Sequence, residues 1–395
     1  MLNLIFLGGF DYPHGMAGTR RIQNAINGLK GHPNISIQVI VLRQSSKKNS
    51  LAGVHHDITY ETVMGDLFGY KLVFSMPLLY WRTRRKIHHL FKQGQSNVLY
   101  VYGPSSFDNS SAINYARGLG YKIIFDIVED HEHAYHISKR LMHHAKIRHI
   151  RRLSRLALSK AHGIVVISSH LENKILSLTS GAVPIHKLSI SIDMALYPKP
   201  YVKRDNSIHL LYGGSFGEKD GIPVLLNAFN ELASKRNHVK LVLTGQGDDE
   251  SMRILHGCIE ASPFKNRISY RGYLDDNSYY QVLQEADILC MPRIDSEYAQ
   301  AGYPFKLGEY LATGKPVIAS SVSDLPKLLR NRKDAMLVTP GDSSAMAEAA
   351  GYLIDNPEQS RRIGESGRAI AKLKFDYREQ GKDLYNFIHA IAASG

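Results

Sequence analysis

The stretch that decides the fold is AGYPFKLGEYLATGKPVIAS, residues 301–320. Its pattern predicts a loop, one short helix and a buried strand, because Pro304 suits a first helical turn and Gly314 suits a helix end. The helix would carry one carboxylate, Glu309, with Lys306 one turn earlier. A helix followed by a buried strand is typical of a parallel α/β sheet.

Apolar, β-branched runs alternate with helical patterns on both sides of this stretch, which predicts two doubly wound parallel-sheet domains. A polar run with two prolines, DMALYPKPYVKRDNS, predicts a linker between them. We expect domains over residues 1–200 and 201–376 that face each other across a cleft, and a helix over 377–395 that crosses back to the first domain. The predicted strands are LNLIFLG, SIQVIVL, NVLYVYG, YKIIFDIV and HGIVVIS in the first half, and IHLLYGGSF, VKLVLTGQG, ISYRGYL, ADILCMP, KPVIAS and AMLVTP in the second.

Length and composition fit a two-domain globular chain of 395 residues. The cysteines, Cys258 and Cys290, have no metal or redox spacing, so we expect no disulfide and a reducing compartment. The opening MLNLIFLGGF predicts a first strand and not a signal peptide, and no apolar run is long enough to span a bilayer.

The net charge of +13 is confined to the first half of the chain. Residues 1–200 hold 25 Lys and Arg against 11 Asp and Glu, whereas residues 201–395 hold 24 against 25. We therefore expect the first domain to face something anionic.

The segment YGGSFGEKDGIPVLL, residues 212–226, predicts a strand, a glycine-rich turn and a helix. Such a turn lets a phosphate approach the backbone at a helix N-terminus, where Lys219 and Ser215 could contact it. An ordinary tight turn with a solvated lysine explains the pattern equally well. Glu309 could accept two hydrogen bonds from a vicinal diol such as a ribose, or be a half-exposed helical glutamate.

Six motifs, in order, resemble the retaining GT-B glycosyltransferases of family 4, also called glycosyl transferases group 1. The likeness is strongest over residues 208–375, and the first half is similar only in HGMAGTRRI and SKAHGIVVISSHLENKIL. It implies a GT-B fold and transfer of a sugar from a nucleoside diphosphate-sugar to an acceptor hydroxyl. The six motifs are GGSFGEKDGIPVLLNAF, LVLTGQGD, ISYRGYL, ADILCMP, GEYLATGKPVIAS and AMLVTPGDSSAMAEA.

The resemblance assigns roles by position. Glu309 matches the second glutamate of the family's E-x7-E pair, which holds the ribose, whereas Ala301 stands where the first glutamate is expected. Glu297, Asp295 or loop backbone would then contact the donor sugar.

Positive charge at the diphosphate is also distributed differently from the family pattern. Ser215 replaces the usual arginine, so the charge would come from Lys219, with Lys306 or Arg20. Gly272 and Tyr273 resemble the segment that meets the base. The full set of expected donor-binding residues is Gly15, Gly18, Gly214, Ser215, Lys219, Gly272, Tyr273, Gly302, Tyr303, Lys306 and Glu309.

The implied enzyme is a hexosyltransferase of class EC 2.4 that needs no metal and no cofactor. Preorganised cations and N–H dipoles would stabilise the charge that grows on the leaving diphosphate. On the acceptor side, Asp130 or His131 of FDIVEDHEHAYH would contact the sugar or the acceptor, among polar residues that include Asp126 and Glu129. Zinc on the histidines of this segment is an alternative, but a hydrogen-bonded loop is commoner. The expected catalytic residues are Lys219, Glu309, Asp130 and His131.

Two basic stretches, YWRTRRKIHHLFK and SKRLMHHAKIRHIRRLSRLALSK, could bind an anionic membrane surface that presents a lipid-linked acceptor. The alternative is core-packed helices with a solvated basic face. We expect a cytoplasmic protein, peripheral at the inner face of the cell membrane, that acts in bacterial cell-surface polysaccharide or glycolipid synthesis. The surface residues are Arg82, Arg84, Arg85, Arg148, Arg151 and Arg152.

Two other functions compete with the enzyme. Ala301 would fit a catalytically inactive glycosyltransferase-like partner or scaffold. A nucleic-acid binder would explain the basic half, but aromatics are not interleaved with the cations and no nucleic-acid module is recognised, so no nucleic-acid partner is expected.

Overall fold

The chain divides into two compact units. In a computed structural model, unit 1 comprises Met1–Ser191 and Tyr377–Gly395, and unit 2 comprises Ile192–Asp376. The division lies before the expected boundary at residue 200, since the Ile192 N–H donates to the Phe375 carbonyl (2.8 Å) within unit 2. The structure describes residues 1–46, 49–65, 70–103, 105–130, 155, 158, 160–197, 207–296, 299–300 and 302–394.

The described part of unit 1 contains an eight-stranded sheet in the order β3-β4-β2-β1-β5-β6-β7-β8. All neighbours are parallel except β3, which is antiparallel to β4. Strand β1 is buried at every position, as in sheets covered on both faces. The strands are β1 Leu2–Gly8, β2 Ile35–Gln44, β3 Ala52–His55, β4 Ile58–Gly65, β5 Ser96–Tyr102, β6 Lys122–Ile127, β7 Gly163–Val166 and β8 Ile185–Lys187.

The helices of unit 1 cover this sheet and include the last helix of the chain. Leu384, Ile388 and Ile391 of that helix lie in the core with Leu4 and Val165. The described helices are α1 Ala17–Leu29, α2 Tyr70–Leu90, α3 Phe107–Leu119, α4 Ser169–Thr179 and, after those of unit 2, α12 Tyr377–Ala393.

The β3–β4 hairpin is not among the predicted strands. It turns at His56 and Asp57, whose φ angles are +46° and +67°. Two-residue hairpin turns with positive φ usually carry Asn-Gly or Asp-Gly, so the His-Asp pair gives a weak sequence signal.

The described part of unit 2 contains a six-stranded parallel sheet in the order β11-β10-β9-β12-β13-β14. Counted from β9, this is the 3-2-1-4-5-6 order of the Rossmann fold. The strands are β9 Ile208–Gly214, β10 Val239–Gly245, β11 Ile268–Tyr270, β12 Ile288–Met291, β13 Val317–Ser320 and β14 Met336–Val338.

Helices connect these strands, with short 3₁₀ turns at Met194–Leu196, Glu218–Asp220 and Lys265–Arg267. The predicted fold class, two Rossmann-like parallel-sheet domains, is confirmed. No helix in the described ranges is long and apolar enough to cross a membrane. The helices are α5 Ile222–Lys235, α6 Asp249–Glu260, α7 Asp276–Glu285, α8 Phe305–Ala312, α9 Leu325–Leu328, α10 Ser343–Asp355 and α11 Pro357–Lys374.

Candidate functional site

The candidate site lies in unit 2, where the strand order reverses between β9 and β12. Open parallel sheets bind ligands beyond the strand ends at such a point. The loops that follow β9 and β12 contact each other, since the Ile294 N–H donates to the Lys219 carbonyl (3.3 Å). Gly221 has φ +62°, and a Cβ there would lie 1.7 Å from the Pro292 carbonyl oxygen. Glycine is therefore required at this position for the two loops to meet.

Lys306, in the first turn of α8, reaches under the glycine-rich turn. Its Nζ donates to the Tyr212 hydroxyl (2.6 Å) and to Asp220 Oδ1 (3.3 Å), and Asp220 Oδ2 accepts from Ser215 Oγ (2.7 Å). A Cβ at Gly214 would lie 2.4 Å from Nζ, so the glycine leaves room for the ammonium. This network joins the two loops at the strand ends.

The charges in this network are nearly buried, with 13% of the Lys306 side chain and 2% of the Asp220 side chain exposed. Burial opposes ionisation of Asp220, but Lys306, the Ser215 hydroxyl and Arg293 hold the pKa of its carboxyl below the usual value. Burial lowers the pKa of Lys306, and attraction to Asp220 offsets only part of this effect. Burial, with the Asp220 charge, raises the pKa of Tyr212 well above its usual value. Asp220 is therefore the ionised partner that favours the ammonium form of Lys306 next to a neutral phenol.

Glu309 lies one turn after Lys306, and its Oε2 accepts from the Tyr279 hydroxyl (3.2 Å). The Tyr279 ring also lies 2.7 Å from where a Cβ at Gly213 would be. Tyr310 fixes the same glycine, because its hydroxyl accepts from the Gly213 N–H (2.8 Å) and donates to the Gly213 carbonyl (3.3 Å). Lys306, Glu309 and Tyr310 therefore point from α8 towards the end of β9.

Two helices begin at these loops without a side-chain cap. Pro304 precedes α8 and Gly221 precedes α5, and neither supplies a capping hydrogen bond. The first N–H groups of a helix favour negative charge. The nearly buried Lys306 and two such helix starts give this end of the sheet the character of an anion site.

The remaining expected donor residues of unit 2 lie at different depths. Lys219 and Gly302 are half-buried, and Tyr273 is 67% exposed. The Gly272 carbonyl accepts from Thr244 Oγ1 (2.7 Å), so its oxygen is engaged inside unit 2. Tyr303 is 6% exposed. Its ring contacts Phe375 with centroids 6.1 Å apart, and burial raises its pKa, as for a packing residue.

In unit 1, Asp130 follows β6 and is buried. Both of its carboxylate oxygens accept from Lys174 Nζ at 2.8 Å, and His170 Nε2 lies 3.8 Å from Oδ2. The expected catalytic His131, like His133 and His136 of the zinc alternative, lies outside the described residues. Lys174 is the partner of Asp130 that the sequence patterns did not reveal.

Asp126 does not belong to a polar surface, contrary to expectation. It forms a bidentate ion pair with Arg21, with two contacts of 2.8 Å, and both side chains are almost fully buried. Arg21 also donates to the Ser189 and Leu188 carbonyls (2.8 and 2.9 Å). The pair joins β6, α1 and the segment after β8, so its role is structural.

Gly15 and Gly18 lie at the start of α1 in unit 1. Gly18 packs against Tyr102, whose hydroxyl would lie 2.9 Å from an added Cβ, and Arg20 in the next turn is half-buried. Of the expected surface residues, Arg82, Arg84 and Arg85 are exposed on α2. Arg148, Arg151 and Arg152, like Glu297 and Ala301, lie outside the described residues.

Four residues of the candidate site were not predicted: Tyr212, Asp220, Tyr279 and Tyr310. Asp220 lies in the quoted glycine-rich turn, where an acid is normally explained by the following helix N-terminus. The one available signal was Tyr310, since it follows Glu309 and lies one helical turn after Lys306. Within the described ranges, no group of three or more His, Cys, Asp or Glu side chains could hold a metal ion.

Comparison with known proteins shows which proteins this chain resembles. Residues 207–356 match the family model described as glycosyl transferases group 1. A phosphatidyl-myo-inositol mannosyltransferase of Mycobacterium leprae is 28% identical over 214 residues, which cover 54% of this chain and 53% of the relative. The match therefore spans about half the length of this curated relative.

Solved structures extend the similarity to both units. The sucrose-phosphate synthase of Thermosynechococcus elongatus superposes with a TM-score of 0.79 at 17% identity over 99% of this chain and 100% of that one. Anabaena HepE, solved in complex with UDP, gives a TM-score of 0.74 at 15% identity over 98% of this chain and 100% of that one. The fold is that of the GT-B glycosyltransferases. Together with the family match, it supports a GT-B glycosyltransferase.

Proposed function

We propose that this chain is a retaining, metal-independent glycosyltransferase of class EC 2.4. It would move a sugar from a nucleoside diphosphate-sugar to an acceptor hydroxyl in bacterial cell-surface polysaccharide or glycolipid synthesis. The observation that carries the proposal is the position of Lys306, whose ammonium lies beneath the glycine-rich turn at the switch point of unit 2.

The donor would bind along the ends of β9 and β12. The diphosphate would lie at the Gly214 turn, near the uncapped starts of α5 and α8 and within reach of Lys306 and Lys219. Glu309 would accept hydrogen bonds from the ribose, with Tyr279 orienting its carboxylate at 3.2 Å. HepE, whose structures contain UDP and UDP-glucose, is a fold relative that supports this class of donor.

In the transfer step, negative charge develops mainly on the leaving diphosphate. The bond from the anomeric carbon to the diphosphate oxygen breaks, and the acceptor oxygen forms the new bond on the same face. A diphosphate oxygen on that face would be the base that takes the acceptor proton as the bond to the diphosphate breaks. Cations and N–H groups that are already fixed at the diphosphate lower the barrier, because they stabilise the growing negative charge without having to move during the reaction. These groups can carry the developing charge without a divalent ion or a cofactor.

The acceptor would bind in unit 1, near Asp130 and His131. Lys174 fixes both oxygens of Asp130, so this carboxylate would act as an oriented hydrogen-bond acceptor for a sugar hydroxyl. The mannosyltransferase relative, named for a phosphatidyl-myo-inositol, favours a glycolipid acceptor. A peripheral position at the cytoplasmic face of the membrane would suit such an acceptor.

The test is a thermal-shift screen with UDP-, GDP- and ADP-sugars, followed by calorimetry with the best donor. We expect Lys306→Ala and Glu309→Ala each to weaken donor binding ~10- to 100-fold, since each removes hydrogen bonds of a charged group. Lys327→Ala and Glu348→Ala, at exposed positions of unit 2, serve as matched controls and should bind like the parent. No shift with any nucleotide, or equal losses in the controls, would contradict the proposal.

Ala301 favours a second candidate function, a catalytically inactive glycosyltransferase-like partner or scaffold. The same donor separates the two functions. An enzyme releases nucleoside diphosphate, slowly by hydrolysis or rapidly with an acceptor, whereas an inactive relative binds the donor and leaves it intact.

A further inference from the structure

Helix α2 of unit 1 carries an exposed apolar stripe. Phe74, Leu78 and Trp81 are 81%, 41% and 56% exposed, and their spacing of four and three residues places them in one row. Arg85 continues the row, with its guanidinium 5.6 Å from the centroid of the Trp81 ring. Large apolar side chains that line up on a surface mark an interaction site.

The opposite side of α2 already packs on unit 1. Leu79, Thr83 and Ile87 are 0%, 1% and 0% exposed and form a second row at the same helical spacing. At about 100° per residue, the two rows lie on opposite sides of the helix. The exposed row is therefore not the face that this helix uses for its own core.

Charge decides which partner fits the exposed row. The sequence of α2, YKLVFSMPLLYWRTRRKIHHL, contains five Lys and Arg and no Asp or Glu. The neighbouring carboxylate of Glu61 is paired with Lys86, and Asp108 is paired with Arg43, so neither neutralises the exposed arginines. Cations beside an apolar stripe match the boundary between anionic headgroups and acyl chains.

Other partners fit this face less well. A second copy, related by a two-fold axis, would bring the arginines of one α2 against those of the other, and like charges oppose such a contact. A nucleic acid would match the arginines but would leave Phe74 and Leu78 against a polar backbone.

We propose that α2 is a membrane-docking helix. Phe74, Leu78 and Trp81 enter the headgroup region of a bilayer that contains anionic lipid, and Arg82, Arg84 and Arg85 contact lipid phosphates. This docking deepens the peripheral membrane position of the proposed function and rests on it for its role, but it uses no part of the candidate site in unit 2. A failure of vesicle binding would therefore leave donor binding untouched, and the reverse also holds.

Trp81 makes the test direct, because it is the only tryptophan of the chain. The full chain is mixed with vesicles of phosphatidylcholine alone or of equal parts phosphatidylcholine and phosphatidylglycerol. We expect a blue shift of the Trp81 emission, quenching by brominated acyl chains and co-flotation with the anionic vesicles, all weakened by high salt. An unchanged emission spectrum with anionic vesicles would overturn the proposal.

Variants assign the binding to the stripe. Phe74→Ser with Leu78→Ser keeps the reporter and should abolish the blue shift, whereas Ile254→Ser with Leu373→Ser, at positions 49% and 63% exposed in unit 2, should not. Replacing Arg82, Arg84 and Arg85 with Gln should lower vesicle partitioning roughly 100-fold, at about a factor of five per cation. Far-ultraviolet circular dichroism checks that each variant is folded.

Two further results would count against the bilayer. If the double serine variant floats as well as the parent, another surface binds lipid. If that variant instead turns a dimer into a monomer in sedimentation, or if duplex DNA or RNA shifts the Trp81 emission and vesicles do not, the stripe has another occupant.

Discussion

Lys306 is held by two side chains of different character, the neutral phenol of Tyr212 and the ionised carboxylate of Asp220. The carboxylate favours the ammonium form that burial opposes. Ser215 and Arg293 in turn stabilise the carboxylate. Asp220 is therefore best described as a positioning residue that maintains the charge and direction of Lys306.

This role predicts that the substitution Asp220→Asn changes the pH dependence of nucleotide affinity. Asp220→Asn removes the attraction that raises the pKa of Lys306, so the ammonium should lose its proton at a lower pH than in the parent. Nucleotide affinity, which depends on the protonated lysine, should then fall with rising pH earlier in the variant. Calorimetric Kd values from neutral to alkaline pH check this. The same nucleotide is used for the parent and the variant, so that protonation of the nucleotide itself affects both profiles equally.

Ser215→Ala is the control for that experiment, since it removes a hydrogen bond to Asp220 and keeps the charge. It should shift the profile much less than Asp220→Asn. Parallel pH profiles for the parent and Asp220→Asn would show that Asp220 does not control Lys306.

At the scale of elements, α1 and α12 meet at a pair of glycines. A Cβ at Gly381 would lie 2.4 Å from the Gly28 carbonyl oxygen, and one at Gly28 would lie 2.6 Å from the Tyr377 carbonyl oxygen. The atoms opposed to each added carbon are backbone atoms, which cannot move aside as a side chain would. The contact therefore depends on both glycines.

We expect Gly381→Ala to destabilise the protein by about 1–3 kcal/mol, because it overpacks this contact. Gly118→Ala in α3 is the matched control, since a Cβ there meets nothing within 4 Å. Alanine at that position should be neutral or stabilising by up to ~1 kcal/mol. Urea unfolding measures the stability of both variants. A Gly381→Ala variant that unfolds at the same urea concentration as the parent would refute the tight contact.

Elements were easier to predict than the contacts between their residues. Strands β1, β7, β12 and β13 are buried at every position, so their apolar runs are continuous or nearly so and identify them in the sequence, unlike the partly exposed β3–β4 hairpin. The hydrogen bonds of Lys306 join residues 94 and 86 positions apart, and no local pattern encodes them. Tyr303 lies in the predicted loop and was expected to bind the donor, but its ring packs against Phe375. The position of a residue in the sequence does not decide the direction of its side chain.

For the whole molecule, the main feature is that unit 1 is built from two separate pieces of chain. The second piece, α12, supplies Leu384, Ile388 and Ile391 to its core, each at most 4% exposed. Unit 2 is one continuous segment. The stability of unit 1 should thus depend on the last helix, and the donor site should not.

Ending the chain after Asp376 tests this independence. We expect the first unit to lose cooperative unfolding and to bind a hydrophobic dye, while nucleotide affinity stays within about threefold of the parent, since contacts inside unit 2 remain. Thermal unfolding and calorimetry measure the two effects, with a chain ending at Ala393 as control. Loss of nucleotide binding together with a stable first unit would contradict the expectation.

The split also sets an order of events on the ribosome. Domains tend to fold as they emerge, with the earlier-encoded part first. Here the earlier-encoded unit must wait for α12, so the part of its core that this helix packs against stays uncovered while the later-encoded unit emerges and folds. Unit 2 should therefore finish folding before unit 1 does, although unit 1 begins first in the gene.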